Sequence, residues 1–290
     1  MKKINIFCFG FGQVAKNFVY NLNKTYDVNL AITSRDKTQK KKIYGINYIS
    51  YHFLDDSFDR EILKKIKNYD YILVSIPPKN GIDIVIKNFQ ETFEILKSNW
   101  ITYLSATSVY GDHNGEWVDE NSKVNPLTEN GKSRLNAEKI WINIAKKKNL
   151  PIQIFRLSGI YSQERNILEK IKSGSHQIIN KPNHFFSRIH VEDISNVLKI
   201  TLDSKYIKPG EIYNLSDDYP CSNIEIANYA YEIMKVSKPK MIETHEIENK
   251  MLRNFYKDSK KVSNKKMKIF FEYNLKFPSY IEGLNYIRNN

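Results

Sequence analysis

The sequence predicts an α/β fold, a doubly wound parallel sheet followed by a small C-terminal lobe. Three observations carry this. Strand-length apolar runs alternate with helical patterns from Ile4 to Leu157, and parallel neighbours need crossover connections of that kind. Tyr69–Ile76 reads as a continuous apolar run, as in a central strand buried on both faces. The first run opens directly onto Gly10-Phe11-Gly12 and a helical pattern, which is how nucleotide-binding sheets of this class begin.

Taken in order, Ile4–Phe9 is the first strand. Gly10 permits the tight turn out of it, Gly12 has no side chain to hold a pyrophosphate off the backbone, and Ala15 lets the helix pack closely. The helix that starts near Gly12, with Gln13 and Val14 in its first turn, aims N–H groups and its positive end at the same point. A dinucleotide site is expected there. The second strand, Val28–Thr33, ends in Ser34-Arg35. A carboxylate at that position would bond the 2′-hydroxyl of NAD and repel the extra phosphate of NADP. Hydroxyls and a guanidinium suit the phosphate instead, so the expected cofactor is NADP ahead of NAD.

Lys37–Tyr44 reads as a short basic helix closed by Gly45. Ile46–Phe53 alternates as a third strand, with Asp55 just after it a candidate for the adenine edge. Asp59–Lys67 is helical. The strand Tyr69–Ile76 stops at Pro77-Pro78, and Ser75 and Pro77 are expected beside the cofactor. A helix over Ile82–Lys97, a strand over Trp100–Ser105, a polar loop over Asp112–Thr128, a helix over Lys132–Lys148 and a sixth strand over Leu150–Leu157 follow. The remainder holds helical stretches at Asn166–Ser173 and Val191–Leu202, a strand at Glu211–Leu215, and a capping box at Ser222–Glu225 that opens a helix to Val236. We place the dinucleotide domain at 1–160 and, over 161–290, a C-terminal lobe that is intertwined with the sheet edge and forms the substrate side.

Composition narrows the function classes. With 41% hydrophobic and 13% aromatic residues, the chain can build a sizeable core. No apolar run reaches the roughly 18 residues of a bilayer span, and the N-terminal run enters the glycine turn without a cleavage site. Cys8 and Cys221 lie too far apart to suggest a metal motif and read as free thiols in a reducing cytoplasm. The net charge of +13 is spread over many faces, with clusters only at Lys37–Lys42 and Lys257–Lys268. Neither nucleic acid nor membrane is therefore expected as a partner. A small-molecule substrate is.

Several phrases now fall into a recognisable order: the glycine turn, Leu104-Ser105-Ala106-Thr107-Ser108-Val109-Tyr110-Gly111-Asp112, Asn125-Pro126, Ser133-Arg134-Leu135-Asn136-Ala137-Glu138, Arg156-Leu157-Ser158-Gly159-Ile160-Tyr161, Arg188-Ile189-His190-Val191-Glu192-Asp193-Ile194, and Gly210-Glu211-Ile212-Tyr213-Asn214-Leu215. Together they resemble the extended short-chain dehydrogenase/reductase superfamily, NAD(P)-dependent epimerase/dehydratase type. The Gly-x-Gly-x-x-Ala turn and the phrase Val109–Glu120 are similar to its atypical subgroup. The resemblance implies a Rossmann fold and hydride exchange with a nucleotide sugar or another polar hydroxyl or carbonyl metabolite. It also implies a homodimer contact through the helices 82–97 and 132–148.

In that superfamily a tyrosine phenolate moves the proton, a lysine four residues later lowers its pKa and holds the ribose, and a Ser or Thr bonds the substrate oxygen. Here those positions are Asn130, Arg134 and Ala106. Asn130 cannot exchange a proton near neutral pH, whereas Arg134 keeps the charge and donors for ribose or phosphate. Thr107 and Tyr110 are the leading substitutes at the reacting end, with Tyr161 and His113 behind them. The same losses raise a second reading, a non-catalytic NAD(P) sensor that regulates a partner.

Overall fold

A computed structural model describes residues 1–290, the side chain of Met251 aside. The chain divides into two compact units, each built from three stretches. The first takes 1–106, 132–156 and 194–213; the second takes 107–131, 157–193 and 214–290. The units interleave in sequence, so the expected division at residue 160 does not hold.

The first unit is organised on an eight-stranded sheet. Its strands include β1 (Lys2–Phe9), β2 (Tyr26–Ser34), β3 (Gln39–Ile43), β4 (Ile46–His52), β5 (Tyr71–Val74) and β6 (Trp100–Ala106). The spatial order runs Ile212–Leu215, Ile152–Leu157, β6, β5, β1, β2, β4, β3. β1 pairs in parallel with β2 and β5, β2 with β4, and β5 with β6. This is a Rossmann-like sheet with β1 at its centre. Helices α1 (Gln13–Asn23), α2 (Glu61–Lys65), α3 (Ile84–Ile95) and α4 (Glu129–Lys148) supply the crossovers. Phe7, Phe9, Ile72, Val74, Phe89, Phe93, Tyr103, Trp141 and Ile154 form one buried core. Asp83 caps α3, its Oδ1 accepting the Val85 and Ile86 N–H groups at 2.9 and 3.1 Å, and Trp141 donates to its other oxygen. Thr128 Oγ1 accepts the Gly131 N–H, so α4 starts three residues earlier than its apolar pattern suggested.

The expected helix over Lys37–Tyr44 is instead β3, antiparallel to β4 from Gln39↔Ser50 to Ile43↔Ile46. The reason is local. Tyr44 and Gly45 both take positive φ, 50° and 83°, and form the two-residue turn whose twist suits a hairpin. Three successive lysines, Lys40 to Lys42, then line the outermost strand, where charge discourages edge pairing.

The second unit is built from short pieces. Gly159–Tyr161 pairs with Arg188–His190, Trp117–Val118 with Lys261–Val262, and Phe185–Phe186 with Cys221–Ser222. Its core gathers Tyr161, Leu168, Cys221, Ile226, Tyr280, Leu284 and Ile287. Ser222 Oγ accepts the Glu225 N–H at the start of the helix Asn223–Met234, as its capping sequence predicts. No helix among the described residues is long and apolar enough to cross a membrane.

Candidate active site

The turn between β1 and α1 is held from two sides. Gly10 has φ +82°, and a Cβ there would stand 2.9 Å from both Ile76 Cγ1 and Ser75 Oγ. Its N–H donates to Thr33 Oγ1 on β2 at 2.9 Å. Ser75 closes the other side, its N–H and hydroxyl donating to Phe9 O at 2.9 and 3.0 Å. Ser75 therefore braces the turn, while Pro77 two residues on is exposed. Gly12 is different. It is exposed, sits at the N-cap of α1 with φ −80°, and a Cβ built on it meets nothing within 4 Å.

No side chain caps α1 at that end and no acidic residue occupies its first turn. Val14 and Ala15 are buried beneath it and Gln13 is half-buried. The turn thus presents backbone and the positive end of an eleven-residue helix to open space. Those features fit the diphosphate of a dinucleotide, whose oxygens need N–H donors and room beside Gly12.

The end of β2 is shaped by the hairpin. Ser34 Oγ accepts the Ser50 hydroxyl at 2.9 Å. Arg35 is exposed, and its guanidinium has no hydrogen bond or ion pair among the described residues. Asp36 beside it pairs with Lys41 at 3.1 Å. His52 Nδ1 lies 3.1 and 3.2 Å from the carbonyl oxygens of Arg35 and Asp36. Carbonyls only accept, so this nitrogen carries the proton. Asp55 forms an ion pair with Lys87 at 2.9 Å. Thr33, Lys41 and His52 were not singled out by sequence reasoning. The signal for the last two lay in the Tyr44-Gly45 turn, whose hairpin brings both toward Arg35.

Asn130 is exposed in the first turn of α4. Arg134, one turn on, is half-buried and donates to Leu104 O on β6 at 3.0 Å, with its charge beside Tyr103 and Asp83. Burial raises the Asp83 carboxyl, with the Ile86 N–H, Trp141 and Arg134 pulling it back. Ala106 is the last residue of β6.

Within the second unit, Thr107 is half-buried, and its hydroxyl has no partner among the described residues. Tyr110 does not fit the expected role. Its side chain is fully buried and its hydroxyl donates to Asn214 Oδ1 at 2.8 Å. A proton carrier must reach substrate; Tyr110 instead pins the loop. Tyr161 is also enclosed, its hydroxyl on Ser279 O at 3.3 Å, and burial first, then the charges of Asp217 and Asp193, push its phenol upward. Asp193 accepts from the Tyr273 hydroxyl and from the Lys276 and Phe277 N–H groups, so it fastens 273–277. His113 Nε2 lies 3.1 Å from Lys123 O. The phrase around it is architectural as well: a Cβ at Gly111 would fall 1.9 Å from Asn125 O.

The sheet order and glycine turn define the dinucleotide-binding class of α/β fold. Solved structures share it over the whole chain. A functionally unknown conserved protein from Silicibacter pomeroyi DSS is 28% identical, with a TM-score of 0.80 and 98% of both chains covered. A UDP-glucuronic acid 4-epimerase from Bacillus cereus, in complex with NAD, is 16% identical, with a TM-score of 0.78 and 99% of both chains covered. A dTDP-glucose 4,6-dehydratase from Bacillus anthracis str. Ames, in complex with NAD, is 15% identical, with a TM-score of 0.77, covering 98% of this chain and 96% of that one. No protein-family model matches the sequence, and no curated protein matches it.

Proposed function

We propose that this chain is an NAD(P)-dependent oxidoreductase of the epimerase/dehydratase type, acting on a nucleotide sugar or another polar hydroxyl or carbonyl metabolite. The observation that carries it is the glycine turn itself: Gly10 is locked by φ and by Ser75 and Ile76, while Gly12 faces open space at an uncapped helix start. The full-length likeness to NAD-bound epimerase and dehydratase structures supports it.

Bound there, the nicotinamide would supply hydride exchange at its C4. Gly10 to Val14 would hold the diphosphate through backbone N–H groups, and Arg134 would keep a positive charge near the ribose. Thr107, following β6 directly in the chain, would bond the substrate oxygen and relay its proton to water. A homodimer through α3 and α4 belongs to the same reading.

Titration of the purified protein with NADPH and NADH, read by tryptophan fluorescence, should show saturable binding; its absence with both overturns the proposal. Against a panel of nucleotide sugars, Thr107→Val should lower turnover by about 10²-fold or more with dinucleotide binding unchanged. The burial of Tyr110 favours the second reading, a dinucleotide sensor. Binding without turnover of any panel member would select it.

A further inference from the structure

β3 is the last strand on its side of the eight-stranded sheet, and its ladder runs to β4. Ile43 and Ile46 face each other across the two-residue turn, so they form a hydrogen-bonded pair. Bonded and non-bonded pairs alternate from there. Gln39 and Lys41 therefore bond to β4, while the N–H and C=O groups of Lys40 and Lys42 point away from it. No backbone hydrogen bond joins β3 to any other element among the described residues. The side chains of Lys40 and Lys42 share one face, across from Ile49 and Asn47, and stand about 7 Å apart. Both lysines are exposed, and neither ammonium has an ion pair or hydrogen bond among the described residues.

This edge is also held in place. At its tip, Tyr44 packs on Tyr20 with ring centroids 5.0 Å apart, and Asn23 Nδ2 donates to Tyr44 O at 2.8 Å. At its root, Thr38 Oγ1 accepts the His52 N–H at 3.0 Å and donates to Asp59 Oδ2 at 2.8 Å. Asp36, the acid nearest the strand in sequence, is already paired with Lys41.

We infer that the free edge of β3 is a docking strand for an extended acidic segment of a partner protein, added as a further antiparallel strand with carboxylates at alternate positions. This goes beyond the cofactor reading and does not depend on it. Strand addition supplies main-chain bonds, and side chains at every second position supply selectivity. Residues of the added strand opposite Lys40 and Lys42 stand on the same face as those lysines. Glutamates there meet two unpaired ammonium groups. A second copy of β3 would set lysine against lysine, so the charge that bars self-pairing selects an acidic strand. A phosphate backbone would meet the lysines, but its oxygens only accept and leave the edge carbonyls unmatched. Because tip and root are fixed, little ordering of β3 is left to offset the gain.

Fluorescence polarisation of labelled peptides with the full chain tests this. Thr-Val-Glu-Val-Glu-Val-Thr should bind about threefold or more tightly than Thr-Glu-Glu-Val-Val-Val-Thr, which has the same charge but cannot place both carboxylates on one face. N-methylation of the two Glu amides, which face β3, should weaken binding about tenfold or more. N-methylation of the central Val amide, which faces away, should change it less than about twofold. Lys40→Glu with Lys42→Glu should abolish binding of the acidic peptide and admit Thr-Val-Lys-Val-Lys-Val-Thr in its place. Both positions are exposed, and a matched thermal midpoint will show the variant folded. No binding of either acidic peptide, equal binding of the two, or a loss that does not depend on which amide is methylated overturns the inference. So does retained binding in the double variant, or equal displacement by an oligothymidylate, which marks an unselective polyanion face. The dinucleotide site stands or falls separately, by its own titrations.

Discussion

At the scale of single residues, the two glycines of the turn make different demands, and one substitution separates them. Gly10→Ala places a Cβ 2.9 Å from Ile76 and Ser75 in a left-handed conformation. It should cost about 1–3 kcal/mol of stability whether or not a ligand is present. Gly12→Ala meets nothing in the protein and should change stability by less than about 1 kcal/mol. If the space beside it receives a diphosphate, the new methyl should still abolish dinucleotide binding. Denaturant midpoints paired with NADPH titrations read both numbers, and retained binding in Gly12→Ala would remove the turn from the site. Gly10, Gly12 and Ala15 were legible in the sequence because their constraint is local, set by neighbours within one strand–turn–helix. Tyr110 was not. Its partner Asn214 lies 104 residues away, and nothing near Tyr110 in sequence distinguishes a buried hydroxyl from one that meets substrate.

At the scale of elements, the strands and helices of the first unit follow the apolar periodicity closely, because each buries a face against the same core. The failure at Lys37–Tyr44 has the same physics behind it. An exposed edge strand buries little, so its sequence carries charge rather than alternation, and only the Tyr44-Gly45 turn marks it. Packing of α4 on the strand Ile152–Leu157 adds a feature that periodicity hides. Arg156 Nη2 and Glu138 Oε2 pair at 2.7 Å, with both side chains about 4% exposed or less. Removing one partner from such a pair leaves an unmatched charge away from water, whereas removing both does not. Glu138→Gln should therefore destabilise by about 3–5 kcal/mol, and Glu138→Met with Arg156→Met should recover most of it. Urea unfolding of the wild type and the two variants measures this; a double variant as unstable as the single one would show that packing, not charge, sets the loss.

At the scale of the whole molecule, each unit draws on three separated stretches, and the crossings show no change of composition. One falls inside α4 itself, between residues 131 and 132. A boundary of that kind leaves no linker to read, which is why a cut at 160 was the natural but mistaken division. Burial also sets how the fold responds to acid. His190 is 2% exposed, ringed by Phe277, Tyr161 and Tyr286, and burial lowers it from 6.5 to about 4. Its Nδ1 accepts the Glu192 N–H at 3.3 Å, so taking up a proton also breaks that bond. The unfolded chain binds a proton near pH 6.5 and the folded chain only near 4, so this residue's share of stability is complete above pH 6.5. It is lost progressively as the pH falls toward 4. Burial raises the carboxyls of Asp83, Asp193 and Asp217, which act with the opposite sign as the pH falls, so the raw stability curve mixes the two. His190→Asn isolates the histidine and keeps an acceptor for Glu192. Between pH 7 and 4 the wild type should lose up to about 3 kcal/mol more than the variant, since each tenfold loss of proton affinity on folding is worth roughly 1.4 kcal/mol. Parallel urea-midpoint curves for the two proteins would show that His190 takes up its proton as readily in the fold as in the unfolded chain, and would overturn this.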